Sequence, residues 1–221
     1  MKKTAHIKIP GSGRNSSQPV RTLVFLGDSI TDGGHLWDED IRALGQGYVR
    51  KIADSLPEDA YRLVNLGQDG FTSRDVLRLL QREIFSQIDC LSLLIGVNDL
   101  SVACYGNPDW IPGRFTANIY EIFSLIRRFH TGPLIVMEPF LFPRPAKHLC
   151  WMPFLEEEQR ILQDAAAQFG GLYLPLQNVV NHAASLQGES RITPDGIHLT
   201  EEGSRIVAEE WRKAYSAFFF S

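Results

Sequence analysis

The sequence predicts an α/β fold built on a five-stranded parallel sheet with helices on both faces. Five short, continuous apolar runs carry this reading, together with the five stretches of helical period that accompany them and the glycine-bearing polar segments that follow the first three runs. Continuous rather than alternating apolar runs mark strands covered on both sides. Their alternation with helices implies right-handed βαβ crossovers.

The first run is Thr22 to Leu26, ended by Gly27, and the helical stripe Tyr48, Val49, Ile52, Ala53 and Leu56 comes after it. The second run, Leu63 to Leu66, precedes the stripe Val76, Leu79, Leu80 and Ile84, which Thr72-Ser73-Arg74-Asp75 introduces as a capping box. The third is Leu91 to Ile95, with Phe115, Ile119, Ile122, Phe123 and Ile126 as its helix and Thr131-Gly132-Pro133 as the breaker. The fourth is Leu134 to Met137, with Ile161, Leu162, Ala165 and Phe169 closed by Gly170-Gly171. The fifth is Leu172 to Leu174, and Val207, Trp211, Ala214 and Phe218 form the last stripe.

The 221 residues fit one domain, read as residues 21–221, preceded by a loose polar arm over residues 1–20. That arm has no apolar core of the signal-peptide kind, so no secretory leader is expected. A net charge of -4 argues against an electrostatic nucleic-acid binder, and no apolar run approaches the roughly 20 residues of a membrane span. The three cysteines, Cys90, Cys104 and Cys150, form no CxxC pair. Their odd number suggests no disulfide framework, and a reducing cytoplasm is the default.

Parallel sheets of this kind bind ligands beyond the carboxyl ends of their strands, and the chemically interesting residues lie there. Ser29 follows the first strand in Gly27-Asp28-Ser29. A serine hydroxyl is a weak nucleophile and needs a base within hydrogen-bond reach. Asp195 and His198 in Thr193-Pro194-Asp195-Gly196-Ile197-His198 stand three residues apart, so one turn brings carboxylate and imidazole together. Asp195 would fix the ring tautomer, leaving the other nitrogen to take the Ser29 proton. Donors for a developing oxyanion come from the Ser29 amide, the Gly70 amide and the Asn98 side chain. Taken singly, each segment has a plainer reading: a helix cap at Asp28 or Ser29, a loop histidine, a turn glycine, a turn asparagine. Together and in this order they define a catalytic constellation.

The blocks FLGDSITD, NLGQDG, IGVND and DGIH resemble, in order and spacing, the four blocks of the GDS(L), or SGNH, hydrolase superfamily, and span residues 27 to 198. The resemblance implies a flavodoxin-like, three-layer α/β/α sandwich. It implies a triad of Ser29, His198 and Asp195, an oxyanion hole from Ser29, Gly70 and Asn98, and no metal or other cofactor. Gly70 is preferred to Gly67 because the family's glycine falls five residues after the block's Asn. Ile30 stands where the family often has leucine. GDSITD followed by Ala43 to Val49, with IGVND and Glu138-Pro139-Phe140, is similar to intracellular acetylxylan and xylo-oligosaccharide acetyl esterases. Those relatives imply a small-molecule ester substrate with short acyl groups on a carbohydrate, and often a homo-oligomer, although Arg191 to Gly196 differs from them. The rival readings are a thioesterase or lysophospholipase and, in a different class, a noncatalytic carbohydrate-binding protein.

His6, His35, His130, His148 and His182 show no ligand-like clustering, so no metal site is expected. Trp37, Trp110 and Trp151 fall in loops near the proposed active face, where packing under loops is the simpler role. The Pro-rich segment 141–154 is read as a lid or subunit contact, and Phe218-Phe219-Phe220 as an argument for self-association.

Overall fold

Strands β1 (Arg21–Gly27), β2 (Tyr61–Gly67), β3 (Cys90–Leu94), β4 (Leu134–Met137) and β5 (Leu172–Leu174) form one sheet in the order β2-β1-β3-β4-β5. Every neighbouring pair is parallel. This is the flavodoxin-type doubly wound order, whose reversal point lies between β1 and β3. The structure is a computed structural model that describes residues 19–40, 42–82 and 87–220. The expected arm lies outside the described residues up to position 18, as do Ile84 and the Phe219 and Phe220 side chains.

Alternate strand residues feed two cores. On β3, Cys90 and Leu94 face one side, while Leu91 and Leu93 face the other. The first side is covered by α2 (Tyr48–Asp54), α7 (Leu176–Gln187) and α8 (Glu201–Phe220), through Tyr48, Val180 and Trp211 among others. The second is covered by α3 (Ser73–Arg82), α5 (Thr116–Phe129) and α6 (Met152–Gln168), through Leu80, Phe123 and Ile161. The three layers are those expected. Ser92, a polar residue in the central strand, is fully buried and accepts a hydrogen bond from Trp211 Nε1 at 2.7 Å, which satisfies both groups.

Two further helices sit at the sheet's active edge. A single turn, α1 (Ser29–Asp32), follows β1, and α4 (Val97–Tyr105) follows β3. Neither α4 nor α7 is among the five stripes read from sequence. The segment read as a turn, Asn98-Asp99, is the first turn of α4, because Val97, Leu100 and Ala103 are buried. At α3 the box takes a different form from the one expected: the Thr72 amide and hydroxyl both donate to Asp75, at 3.1 and 2.6 Å.

The cysteine reading needs correction. Cys104, which lies on α4 rather than in a loop, is disulfide-bonded to Cys150, with 6.2 Å between their Cα atoms. The end of α4 meets the 3-10 turn Ala146–Trp151, a long-range contact that spacing alone does not reveal. The same contact anchors the Pro-rich segment 141–154: Leu141, Phe142, His148 and Trp151 are buried and form a buttress, while residues 143–147 between them are exposed. Among the described residues no helix is long and apolar enough to cross a membrane.

Candidate active site

Asp28 follows β1 and caps α1, its Oδ1 accepting the Ile30 amide at 3.0 Å. The plain reading of Asp28 as a cap therefore holds, and the cap is what turns the chain so that Ser29 is presented at the sheet edge. Gly27 is required here because a Cβ would lie 2.1 Å from Thr31 Oγ1 and 2.5 Å from the Leu94 carbonyl.

At the other end of the chain, a tight turn builds the base. Asp195 Oδ1 accepts the amides of Ile197 and His198 at 3.0 and 2.8 Å, and Thr193 Oγ1 accepts the Gly196 amide at 2.8 Å. Gly196, at φ +89°, leaves room for the Arg144 carbonyl, which a Cβ would strike. Phe142 N donates to Gly196 O at 2.9 Å, so the buttress backs the turn. After it Thr200 caps α8, accepting the Gly203 amide at 3.1 Å.

The two ends meet. Ser29 Oγ lies 3.0 Å from His198 Nε2, and His198 Nδ1 lies 2.6 Å from Asp195 Oδ2. Burial alone would raise the Asp195 carboxyl, but the His198 ring and the two turn amides outweigh it and hold it down at about 2. It is thus an anion throughout the neutral range. An ionised Asp195 accepts from Nδ1–H, which leaves Nε2 as the acceptor for the Ser29 hydroxyl proton.

The glycine block is held by a residue that sequence reasoning passed over. Asn65, buried at the end of β2, donates to the carbonyls of Thr31, Asp32 and Leu44 at 2.8 to 3.2 Å. Its Oδ1 accepts the Gly67 amide at 2.9 Å. Gly70, exposed at φ +73°, has nothing within 4 Å of where a Cβ would stand. Asn98 Nδ2 donates to Phe71 O at 2.9 Å, tying the first turn of α4 to this loop.

Buried acids support the floor. Asp99 accepts from Ser73 N, Ser73 Oγ and Trp110 Nε1, each at 2.8 Å, and burial pushes its carboxyl up to about 6. Burial likewise pushes Asp28 up to about 7 despite the Ile30 amide and the nearby His198. Glu158 of α6 is fully buried with no hydrogen-bond partner on either oxygen among the described residues, and burial followed by repulsion from Asp99 and Asp28 raises it well above the usual range. Glu138, after β4, accepts from Tyr173 Oη and from Gln177 N in the first turn of α7, at 2.8 and 2.7 Å.

An open cleft of about 500 Å³ contains Ser29 and His198, and is otherwise lined by Trp37, Gln46, Lys51, Asp69 and Glu201 among others. Trp37 thus faces the cleft, whereas Trp110 bonds Asp99 and Trp151 packs on His148 with ring centroids 4.8 Å apart. No group of three or more His, Cys, Asp or Glu side chains is arranged to hold a metal among the described residues.

A flavodoxin-type sheet thus carries at its carboxyl edge a serine, a histidine and an aspartate within hydrogen-bond reach of one another, on the fold of a hydrolase. The chain belongs to the GDSL-like lipase/acylhydrolase family, whose model matches residues 25–206, and it is a carboxylic ester hydrolase. It is 28% identical to an acetylxylan esterase of Geobacillus stearothermophilus over 198 residues, 84% of this chain and 90% of that one. It is 26% identical to an isoamyl acetate-hydrolyzing esterase of Saccharomyces cerevisiae, covering 89% and 87% of the two chains. The structure of Axe2, an acetylxylan esterase from G. stearothermophilus, superposes with a TM-score of 0.74 at 22% identity, covering 96% of each chain. Catalytic mutants of that enzyme replace a serine, an aspartate and a histidine, the last two three positions apart.

Proposed function

We propose that the protein removes short acyl groups, acetyl foremost, from hydroxylic alcohols through an acyl-Ser29 intermediate. The observation that carries this reading is the continuous relay from Ser29 Oγ through His198 to Asp195, at 3.0 and 2.6 Å. Ser29 attacks the ester carbonyl as His198 Nε2 takes its proton, and Asp195 stabilises the imidazolium. The tetrahedral oxyanion is met by the amides of Ser29 and Gly70 and by the Asn98 side chain. One Asn98 N–H is engaged by Phe71 O, and this reading assigns the second to the oxyanion. His198 then protonates the departing alcohol and, in the second half, activates water to release the acid.

Three things support the assignments. Asn65 already holds the Gly67 amide, which favours Gly70 as the backbone donor. The spacing of Asp195 and His198 equals that of the aspartate and histidine replaced in the Axe2 catalytic mutants. The acetyl preference rests on the two relatives, an acetylxylan esterase and an acetate-hydrolysing one.

Labelling with a fluorophosphonate tests the nucleophile, because only an activated serine reacts well. Wild type should be labelled and turn over p-nitrophenyl acetate with an acylation burst, while Ser29→Ala does neither. Labelling that survives in Ser29→Ala would remove Ser29 from the mechanism. Turnover of acyl-CoA or lysolipid in preference to acetyl esters would overturn the acetyl assignment.

A further inference from the structure

We infer that Glu158 is a positioning residue of the hydrolytic site, a neutral acid wedged behind the turn that presents Asn98, whose ionisation puts a charge beneath the forming oxyanion. The inference rests on the esterase reading above and adds a residue that belongs neither to the triad nor to the oxyanion donors.

The wedge is set by geometry. Gly96 accepts the amides of Asp99 and Leu100 at 2.7 and 3.2 Å, so it starts α4 two residues before Asn98. At φ +138° its backbone takes a conformation that favours glycine, and a Cβ there would lie 2.6 Å from Glu158 Oε2 and 3.3 Å from Pro139 Cγ. The turn is therefore packed directly on the Glu158 carboxyl. Gln159, next on α6, donates to Pro139 O at 2.9 Å and holds this part of the helix against the sheet edge.

Three buried carboxyls gather behind the turn: Glu158, Asp99 of α4 and Asp28 of the nucleophile turn, with Glu157 of α6 the further charged neighbour of Glu158. Their hydrogen bonds decide which one keeps a proton. Asp28 accepts the Ile30 amide and Asp99 accepts three donors, arrangements that suit carboxylates. Glu158 accepts none among the described residues, and burial followed by the neighbouring acids favours its neutral form.

The position also decides what a charge here would do. His198 neighbours Asp28, whereas Glu158 lies against the turn that carries Asn98. An ionised Glu158 thus repels the oxyanion more than it attracts the imidazolium. It raises the barrier to attack on the carbonyl and leaves substrate binding alone, so the effect falls on kcat rather than KM.

The test follows ethyl acetate hydrolysis by pH-stat from pH 6 to pH 10 for wild type, Glu158→Gln and Glu158→Met, over the range in which near-UV circular dichroism shows the fold intact. Methionine serves as a second neutral side chain of similar volume should glutamine fold poorly. At pH 6 the variants should match wild type within about two-fold in kcat. Toward alkaline pH, wild-type kcat should fall about 10-fold relative to the variants at unchanged KM, the scale of one unit charge acting on another across a turn in a protein interior. Superimposable kcat profiles, or a fall carried by KM, overturn the inference; with Ser29 still labelled by fluorophosphonate, they leave the esterase reading standing. A wild type neither labelled nor active at pH 6 removes both.

Discussion

The side-chain carbonyl of Asn65 accepts the amide of Gly67 at 2.9 Å, while its Nδ2 reaches the backbone carbonyls of Thr31, Asp32 and Leu44. One buried amide thus fastens the end of β2 to the nucleophile turn and to the loop before α2. Gly67 stays glycine because a Cβ would sit 2.3 Å from the Asp32 amide. Replacing Asn65 by alanine leaves several buried carbonyls and one amide unsatisfied, each a cost of about 1–3 kcal/mol less whatever water recovers. Asn65→Ala should lower unfolding stability by roughly 3 kcal/mol in a urea titration. A loss within experimental error would mean that this knot is not structural.

Asn98 is expected to behave differently from Asn65, since it is half-buried and, among the described residues, its side chain donates one hydrogen bond, to Phe71 O. Asn98→Ala should reduce kcat by about 100- to 1,000-fold, the size of one lost oxyanion donor. Its melting temperature should change little. Wild-type turnover in that variant would remove Asn98 from the oxyanion hole.

The meeting of Ser29, His198 and Asp195 was legible in sequence for a physical reason: a hydroxyl needs a base within hydrogen-bond reach and the base an orienting carboxylate, and these residue types stand in short blocks. The strands were legible as continuous apolar runs, most plainly in the centre of the sheet, where every residue of β3 and β4 is buried. What failed to show was partnership over distance. Cys104 and Cys150 are joined across 46 residues, and Glu158 on α6 meets Gly96, where a Cβ would lie 2.6 Å from its Oε2. Helix α4 was hidden because Asn98 and Asp99 look like turn residues until Asp99 is seen bonded to Ser73 and Trp110. Helix α7 has its stripe at Leu176, Val180 and Ala183, a pattern present in the sequence but not taken up.

Glu158 sets a pH dependence of stability. Its folded pKa is raised, so the native state holds the proton more tightly than the unfolded chain does. Stability is therefore full below the unfolded carboxyl range and declines as pH rises. Asp28 and Asp99, raised to about 7 and about 6, act in the same direction, so wild type should lose stability between about pH 4 and pH 7 from these groups. Glu158→Gln keeps the shape and removes the titration. It should be more stable than wild type at pH 9, with the gap shrinking toward pH 4. A gap independent of pH would show that Glu158 does not change its charge state differently on folding.

The disulfide offers the last test, and its two ends make the outcome informative. Cys104 ends the helix whose first turn carries Asn98, and Cys150 belongs to the buttress behind the Asp195–His198 turn. Closing a loop of 46 residues' separation restricts the unfolded chain by about 4 kcal/mol on the chain-entropy estimate. Cys104→Ser with Cys150→Ser should therefore lower the melting temperature by several degrees, and a reductant should do the same to wild type but not to the double variant. The core contacts of Phe142 and Trp151 remain, so the Ser29–His198 geometry should survive at 25 °C and turnover should stay within a few-fold of wild type. Equal melting temperatures in the presence and absence of reductant would show that the bond is not formed or does not stabilise the fold.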